Sequence, residues 1–216
     1  MLGSGSIAGV DLEKFNKNKY KNSNLRHTLS IPLDSIVITF IGRLTKEKGV
    51  SELISAYKEI LQSCKAEIYL LIVGPAHDLM LESELRQLAK VYLNLKLIGY
   101  AEHPECYLAI TDIFCLPSYR EGFATVVIEA AAMGVPSVVT EVTGLVDSVV
   151  QGVTGFLVPS RSVNALKEGL IRLIDDPLLR GQMGLSAMER ARQKFSANYV
   201  NGLMLQEYNY FINLQE

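Results

Sequence analysis

The chain has 216 residues, a formal net charge of −2 and a hydrophobic fraction of 49%. This composition argues against a disordered chain, and the near-neutral charge argues against a nucleic-acid surface, which is normally basic. No apolar run approaches the roughly 18 residues that a membrane-spanning helix needs. Three cysteines, Cys64, Cys106 and Cys115, are scattered along the sequence, which is typical of reduced core cysteines in a cytoplasmic protein.

The predicted elements alternate between strands and helices after a polar, irregular segment at residues 1–30. Continuous apolar runs that end at a glycine or a proline predict strands covered on both faces. Segments with apolar residues at helical spacing predict helices. The strands are predicted at 36–41, 67–73, 95–98, 112–116, 137–140 and 156–158. The helices are predicted at 50–61, 79–93, 104–110, 125–133, 145–150, 162–175, 177–194 and 197–212.

This alternation predicts an α/β fold, in which a doubly wound parallel sheet forms a single Rossmann-like domain over residues 31–195. Ligands of such sheets bind beyond the carboxyl ends of the strands. The loops that follow the strands are therefore the places to search for a site. The tail at residues 196–216 carries large apolar side chains, and we expect a second body to cover them.

Two glutamates, Glu121 and Glu129, are separated by seven residues across the predicted boundary between a loop and a buried helix. The free backbone amides at a helix N-terminus attract anions, and carboxylates accept hydrogen bonds from hydroxyls. The pattern therefore suits a ligand with both hydroxyls and phosphates, such as a nucleotide sugar. Glu129 stands among apolar residues, where a charge needs a partner. The alternative to ligand hydroxyls is an internal ion pair.

The loop after the first predicted strand, residues 42–49, carries Arg43 and Lys48. Arginine can fork onto two phosphate oxygens, and lysine adds a mobile point charge. Together they could neutralise a diphosphate without a metal, and no His/Asp/Glu cluster in the sequence has metal-ligand spacing. The alternative is a solvated basic loop. Because this loop and the glutamate loop are predicted to emerge at the same edge of the sheet, the diphosphate interpretation is favoured.

Weaker signals lie in the other loops of this edge. Tyr100 either stacks against a base or belongs to a turn with a partly buried ring. His77 and His103 are expected to face solvent. The sequence has no G-x-G-x-x-G motif and no Walker lysine loop, which disfavours dinucleotide and ATP chemistry of those kinds. Ser118 lacks the sequence context of a hydrolase nucleophile.

Together these residues resemble the donor-binding half of the GT-B-fold retaining glycosyltransferases, which use nucleotide sugars. The resemblance spans most of residues 9–195, and the glutamate pair with its flanking Pro-Ser and Gly-x-Pro is its most specific part. The motifs are Gly9-Val10-Asp11-Leu12, Gly42-Arg43, Lys48-Gly49, Ile72-Val73-Gly74, Gly99-Tyr100, Pro117-Ser118, Glu121-Gly122-Phe123, Glu129-Ala130, Gly134-Val135-Pro136 and Thr154-Gly155-Phe156-Leu157-Val158.

The resemblance implies a role for each site residue. Arg43 and Lys48 would hold the donor diphosphate and stabilise the charge that grows on the leaving group. Glu121 would contact hydroxyls of the donor sugar, which completes the predicted catalytic set. Glu129 would bind the ribose hydroxyls, and Tyr100 would lie by the base. The rest of the predicted substrate-binding site consists of Gly42, Gly122, Phe123, Ala124 and Thr125.

Within this predicted site, the amides around residues 123–125 would meet the phosphates. By the resemblance, transfer would proceed with retention at the anomeric carbon. We expect no metal and no cofactor, because the nucleotide sugar is itself the substrate.

The resemblance also implies a partner Rossmann-like domain that precedes residue 1 and carries the acceptor site. Residues 1–30 would then be an interdomain connection, and the helix at 196–216 would pack on the partner domain. We expect a UDP-linked donor and a glycan or lipid-linked acceptor, as in polysaccharide biosynthesis. The isolated chain should bind the donor without transferring its sugar. The full-length protein is expected in the cytoplasm, where it could bind the inner face of the cell membrane.

Two other functions fit the same residues. One is a non-catalytic nucleotide-sugar binding module that never has a catalytic partner. The other is a fragment of a sugar-nucleotide epimerase of the same overall architecture. The spacing of the two glutamates favours transfer over epimerisation, by resemblance alone.

Overall fold

The structure, a computed structural model, describes residues 8–21 and 23–213. The predicted lead-in and tail therefore lie partly outside the described residues. The strands are β1 (Ile36–Ile41), β2 (Ile68–Val73), β3 (Leu95–Gly99), β4 (Ile113–Leu116), β5 (Ser137–Thr140) and β6 (Gly155–Val158). The helices are α1 (Leu25–Thr28), α2 (Val50–Ser63), α3 (Leu79–Val91), α4 (Pro104–Ala109), α5 (Thr125–Ala132), α6 (Val163–Asp175), α7 (Pro177–Arg190) and α8 (Ala197–Asn213).

The six strands form one sheet in the order β3-β2-β1-β4-β5-β6, and every neighbouring pair is parallel. The predicted doubly wound α/β fold is confirmed. The strand order reverses between β1 and β4, which is the point where such sheets open a crevice for a ligand. The loops after β1 and β4, which carry the predicted cationic and acidic residues, therefore flank this crevice.

The core covers both faces of the sheet, as the unbroken apolar runs predict. In β1, the side chains of Ile36, Ile38 and Phe40 belong to the larger buried cluster, whereas Val37 belongs to a smaller one with Leu71. This division follows from the two-residue period of a strand, which sends successive side chains to opposite faces. A strand that is buried on both faces is therefore mostly apolar, and the polar side chain of β1, that of Thr39, is paired with the hydroxyl of Thr111 at 2.7 Å.

Two predicted helices differ from the structure. Residues 145–150 form turns instead of a helix. The preceding Gly144 has a φ of +86°, so the backbone leaves the right-handed region just where a helix would start. The helix predicted at 177–194 ends earlier, at Arg190, and continues as a π-helical turn over Ala191–Phe195. Among the helices within the described ranges, none has the length and apolar character needed to cross a membrane.

The lead-in segment, which we define as residues 8–21, packs against the rest of the domain. Val10 and Phe15 are buried in the main core. The backbone of Val10 also exchanges hydrogen bonds with Phe195 and Ala197, at 2.6 and 2.9 Å. The start of the described chain is thereby fixed beside the start of α8.

Candidate functional site

The loop after β1 and the loop after β4 are held together by their backbones. Gly49 has a φ of +68°, and a Cβ atom there would lie 2.1 Å from the carbonyl oxygen of Pro117. Only glycine allows this approach. The amide of Tyr119 donates a hydrogen bond of 2.8 Å to the carbonyl of Glu47. The two loops that the sequence singles out therefore meet at the carboxyl edge of the sheet.

Glu121 accepts hydrogen bonds from side chains of both loops. Its Oε1 atom accepts from Nζ of Lys48 at 2.5 Å and from the hydroxyl of Ser118 at 2.7 Å. The side chains of Lys48 and Glu121 are only 19% and 11% exposed, so water screens this ion pair less than a surface pair. The hydroxyl of Thr140, at the end of β5, donates to the carbonyl of Ser118. Ser118 and Thr140 thus support Glu121.

Four of the predicted site residues, Arg43, Lys48, Glu121 and Gly122, line one cavity of about 530 Å³. Sequence reasoning did not identify the other three lining residues, which are Thr45, Glu47 and Arg120. Three cationic and two acidic side chains face this space, so its net charge favours an anionic ligand.

The two arginines of this cavity differ in their partners. Arg120 forms an exposed ion pair of 3.1 Å with Glu47. Arg43 is exposed and forms no ion pair with any described residue. Its guanidinium is therefore available to a ligand. Gly42 precedes it at the end of β1, and its amide is bonded to the carbonyl of Val73 at 2.9 Å, so Gly42 serves the backbone and does not line the cavity.

The start of α5 presents backbone amides beside this cavity. The N-cap residue Ala124 has no side-chain oxygen with which to cap the helix. The amides of Gly122 and Phe123 donate no hydrogen bond to a described residue, whereas the amide of Thr125 donates to the carbonyl of Phe123 at 3.1 Å. The side chain of Phe123 packs against Phe195, with ring centroids 5.7 Å apart. Of the predicted amide positions 123–125, only that of Phe123 is thus free, because the amide of Ala124 also donates, to the carbonyl of Gly144 at 3.5 Å. The free amide of Gly122 lies just before this range.

Glu129 lies on α5, half-buried, and does not line the 530 Å³ cavity. Its carboxylate forms no ion pair or hydrogen bond with the residues that the structure describes, so the alternative of an internal ion pair finds no support there. Burial raises the pKa of this carboxyl to about 7; the charge of Lys14 opposes the rise, and that of Glu105 adds to it. The group lacks the hydrogen-bond donors that would offset its desolvation.

The other loop residues lie further out. Tyr100 is 76% exposed and does not line the cavity. Its ring is therefore open to solvent, which does not match the partly buried turn considered from the sequence. His77 is exposed, as expected. His103 is also largely exposed, but its Nδ1 lies 3.1 Å from Oε1 of the buried Glu105.

No set of three His, Cys, Asp or Glu residues within 8–21 and 23–213 is arranged to hold a metal ion.

Comparison with known proteins identifies the family. The family model described as "Glycosyl transferases group 1" matches residues 21–190. The chain belongs to this family. A curated relative, the capsular polysaccharide biosynthesis glycosyltransferase CapM of Staphylococcus aureus, is 34% identical over 220 residues. That alignment covers 100% of this chain and 56% of CapM, so the group 1 chain spans about half the length of this relative.

Solved structures confirm the fold of the group 1 chain. The C-terminal domain of a glycosyl transferase group 1 family protein, LpcC of Francisella tularensis, superposes with a TM-score of 0.75 and 24% identity. The match covers 87% of this chain and 99% of that domain. Anabaena HepE, solved in complex with UDP and glucose, gives a TM-score of 0.83 and 24% identity over 94% of this chain and 55% of HepE. The predicted C-terminal half of a GT-B glycosyltransferase is thus confirmed as the fold.

Proposed function

We propose that the chain is the donor-binding half of a retaining glycosyltransferase, which transfers a hexose from a UDP-linked donor to a glycan or lipid-linked acceptor. The observation that carries the proposal is the single cavity in which Arg43 stands free beside the Lys48–Glu121 pair. Family membership supports transfer as the reaction. The UDP and glucose bound to HepE support the choice of donor, and the name of CapM supports a role in polysaccharide biosynthesis.

In this proposal, the cations of the cavity act on the diphosphate. Arg43 forks onto its oxygens, and Lys48 adds a charge that stabilises the leaving group as the glycosidic bond breaks. The free amides of Gly122 and Phe123 donate to the same anion. No metal is required, because these groups supply the positive charge. Lys48 is shared between the diphosphate and Glu121, so donor binding redistributes an ion pair that already exists.

The carboxylates act on the hydroxyls of the donor. Oε1 of Glu121 is engaged by Lys48 and Ser118, and Oε2 accepts no hydrogen bond from a described residue. A hydroxyl of the sugar would donate to Oε2. Glu129 would accept from the ribose diol, which would supply the donors that its carboxylate lacks, and Tyr100 would lie beside the base. The full-length protein would act in the cytoplasm, at the inner face of the membrane when the acceptor is lipid-linked.

Calorimetric titration of the chain with UDP, GDP and ADP in parallel tests the site and identifies the base. We expect UDP to bind most tightly. Arg43→Ala and Glu129→Ala should each weaken UDP binding about tenfold or more, since charge-assisted contacts contribute about 1.5–3 kcal/mol. Arg86→Ala is a matched control, because Arg86 pairs with Glu82 on the exposed face of α3, away from the cavity. Unchanged affinity in both site variants would contradict the proposed placement.

A further inference from the structure

Tyr119 joins three segments at the carboxyl edge of the sheet, although it does not line the 530 Å³ cavity. Its hydroxyl donates a hydrogen bond of 2.5 Å to Oε1 of Glu52, in the first turn of α2. The guanidinium carbon of Arg161, between β6 and α6, lies 4.2 Å from the centroid of its ring. We refer to Glu52, Tyr119 and Arg161 as the Tyr119 cluster. The cluster connects the loop after β4 to the elements that follow β1 and β6.

The carboxylate of Glu52 depends on the tyrosine hydroxyl. Its Oε2 atom is buried and accepts no hydrogen bond from a described residue. Among the described residues, Tyr119 is the one side chain that donates to this carboxylate. A carboxylate with so few donors is costly to bury. Burial, together with the hydrogen bond to Glu52, raises the pKa of Tyr119 to about 12, so its hydroxyl remains a donor near neutral pH.

Arg161 has an unfavourable backbone conformation. Its φ is +62°, in the left-handed region that residues with a Cβ atom rarely adopt. Its side chain is exposed and forms no ion pair with a described residue, whereas it stacks on the ring of Tyr119. Strained conformations of this kind persist where the surrounding structure enforces them, and they are common beside functional sites.

Two contacts connect the loop after β4 to the segment after β1 through side chains. One is the ion pair of Lys48 with Glu121, which lies in the cavity. The other is the hydrogen bond of Tyr119 to Glu52, four residues after Lys48. In the proposed function, the donor diphosphate draws on Lys48 and weakens the ion pair. The hydrogen bond of Tyr119 lies outside the cavity, so it can keep the loop in place while the ion pair is redistributed.

We propose that Tyr119 is a positioning residue for the donor sugar. Its hydrogen bond to Glu52 holds the loop after β4, and its stack with Arg161 holds the ring. Glu121 then stays directed at the sugar while Lys48 turns to the diphosphate. The inference rests on the proposed function, in which Glu121 contacts the sugar. Loss of this restraint should therefore weaken the binding of UDP-glucose more than that of UDP.

Tyr119→Phe removes the hydroxyl and keeps both the ring beneath Arg161 and the backbone hydrogen bond to Glu47. We expect UDP-glucose to bind about fivefold more weakly and UDP to change by less than about twofold. Calorimetry measures both affinities, and urea unfolding measures stability. Tyr57→Phe is the matched control, because its hydroxyl donates to the carbonyl of Ile68 within the core. The control should lose stability and keep both affinities.

A double variant separates positioning from stability. Tyr119→Phe alone leaves the carboxylate of Glu52 without its donor. Adding Glu52→Met removes that carboxylate, so stability should return towards that of the wild type. UDP-glucose binding should nevertheless stay about fivefold weaker, because the link between the two segments is still missing. Glu52→Gln keeps an acceptor for the hydroxyl, so it should bind UDP-glucose within about twofold of the wild type.

Arg161→Gly tests the stack on the ring. Glycine adopts the left-handed conformation without strain, so the variant should keep the stability of the fold. It loses the guanidinium that covers Tyr119, so UDP-glucose binding should weaken about threefold while UDP binding changes little. A purely structural role of Arg161 would instead lower stability and affinity together.

The results distinguish the inference from the proposed function. Wild-type affinity for UDP-glucose in Tyr119→Phe or in Arg161→Gly would overturn the inference. Recovery of UDP-glucose binding together with stability in the double variant would also overturn it, and so would equal losses for UDP and UDP-glucose. A loss confined to UDP-glucose that persists in the double variant would support it. Failure of the wild type to bind UDP would overturn the proposed function itself.

Discussion

At the scale of single residues, the orientation of Glu121 is set before any ligand is present. Lys48 and Ser118 donate to the same oxygen, and Thr140 in turn fixes the carbonyl of Ser118. A carboxylate that is already oriented loses little conformational entropy when a sugar hydroxyl arrives. If Glu121 contacts the donor sugar as proposed, the hydroxyls of Ser118 and Thr140 would contribute to affinity without touching the ligand.

Ser118→Ala tests this support. The substitution removes one donor from Glu121 and leaves Lys48 in place. We expect binding of UDP-glucose to weaken several-fold, by about 1 kcal/mol, while binding of UDP changes little, because UDP lacks the glucose that Glu121 is proposed to contact. Calorimetry with both ligands measures the difference. Ser55→Ala is the control, since that hydroxyl donates to the carbonyl of Ser51 on the exposed side of α2. An equal loss for UDP would show that Ser118 acts on the phosphate site.

Glu129→Gln tests how much stability the folded protein loses when the half-buried carboxyl of Glu129 ionises. Its pKa in the folded protein, about 7, is raised from the ordinary value of 4.5. The stability that its proton provides is complete below pH 4.5 and is lost as the pH rises through 7. Glutamine does not ionise, so the variant should match the wild type at about pH 4 and be more stable at about pH 8, by up to about 3 kcal/mol.

Urea unfolding at both pH values measures this difference. Glu84→Gln, at an exposed position of α3, should show no pH-dependent gain. A gain for Glu129→Gln that is the same at both pH values would contradict the assignment of the raised pKa to this group.

At the scale of elements, the turns after β5 support the loop after β4 that carries Glu121, which we call the acidic loop. Gly144 has a φ of +86°, and a Cβ atom there would lie 2.2 Å from the carbonyl oxygen of Gly122. Gly144→Ala should therefore displace the loop, destabilise the fold by about 2 kcal/mol or more and abolish UDP binding. Gly152→Ala is a matched control, because Gly152 has a φ of +73° and open space around the added carbon.

We expect Gly152→Ala to lose about 1 kcal/mol of stability through backbone strain alone and to retain UDP binding. Urea unfolding and calorimetry distinguish the two variants. Equal binding of UDP by both would show that the contact between the turns and the acidic loop is dispensable.

The sequence predicts the strands well for a physical reason. β1 and β2 are buried on both faces, so nearly all of their side chains are apolar and the strand prediction is unambiguous. The helix predicted at 145–150 is wrong because Leu145 and Val149 pack into the core from turns, and their apolar character alone does not distinguish turns from a short helix. The break after α7 at Arg190 leaves helical spacing almost unchanged, which hides it in the sequence.

The residues of the candidate site that the sequence predicts are those in the loops directly after strands. Arg43, Lys48 and Glu121 stand in loops that parallel strands must bring to one edge, and they line one cavity. Arg120 and Thr140 were missed because only the folded chain shows their contacts. For Thr140, its position at the end of a strand next to β4 is a usable signal.

At the scale of the whole molecule, this chain spans about half of the relatives to which it is similar, 56% of CapM and 55% of HepE. In α8, large apolar side chains, those of Leu205, Tyr208, Tyr210, Phe211 and Ile212, are exposed. That a partner domain covers them stays a prediction. In the proposed function, the residues of this chain serve the donor side of the reaction.

We expect the chain to bind UDP-glucose without transferring its glucose. Incubation with UDP-glucose should release no more UDP than a Glu121→Gln variant does, because no acceptor hydroxyl is positioned against the anomeric carbon. A coupled assay for UDP measures this, and calorimetry confirms that the sugar nucleotide is bound in the same sample. UDP release above the background of the variant would contradict the proposal that this chain binds the donor and a partner domain binds the acceptor.

The peptide hydrogen bond between Tyr119 and Glu47, together with the approach of Gly49 to Pro117, joins the two loops of the cavity into one mechanical unit. A force on either loop is transmitted to the other through the main chain. A donor sugar that displaced the loop after β4, which carries Glu121, would thus also displace Arg43 and Lys48, the residues proposed to bind the diphosphate of the same donor. A donor with an unsuitable sugar would then bind with lower affinity through its nucleotide part, although the hydroxyl that differs lies several bonds away from the diphosphate.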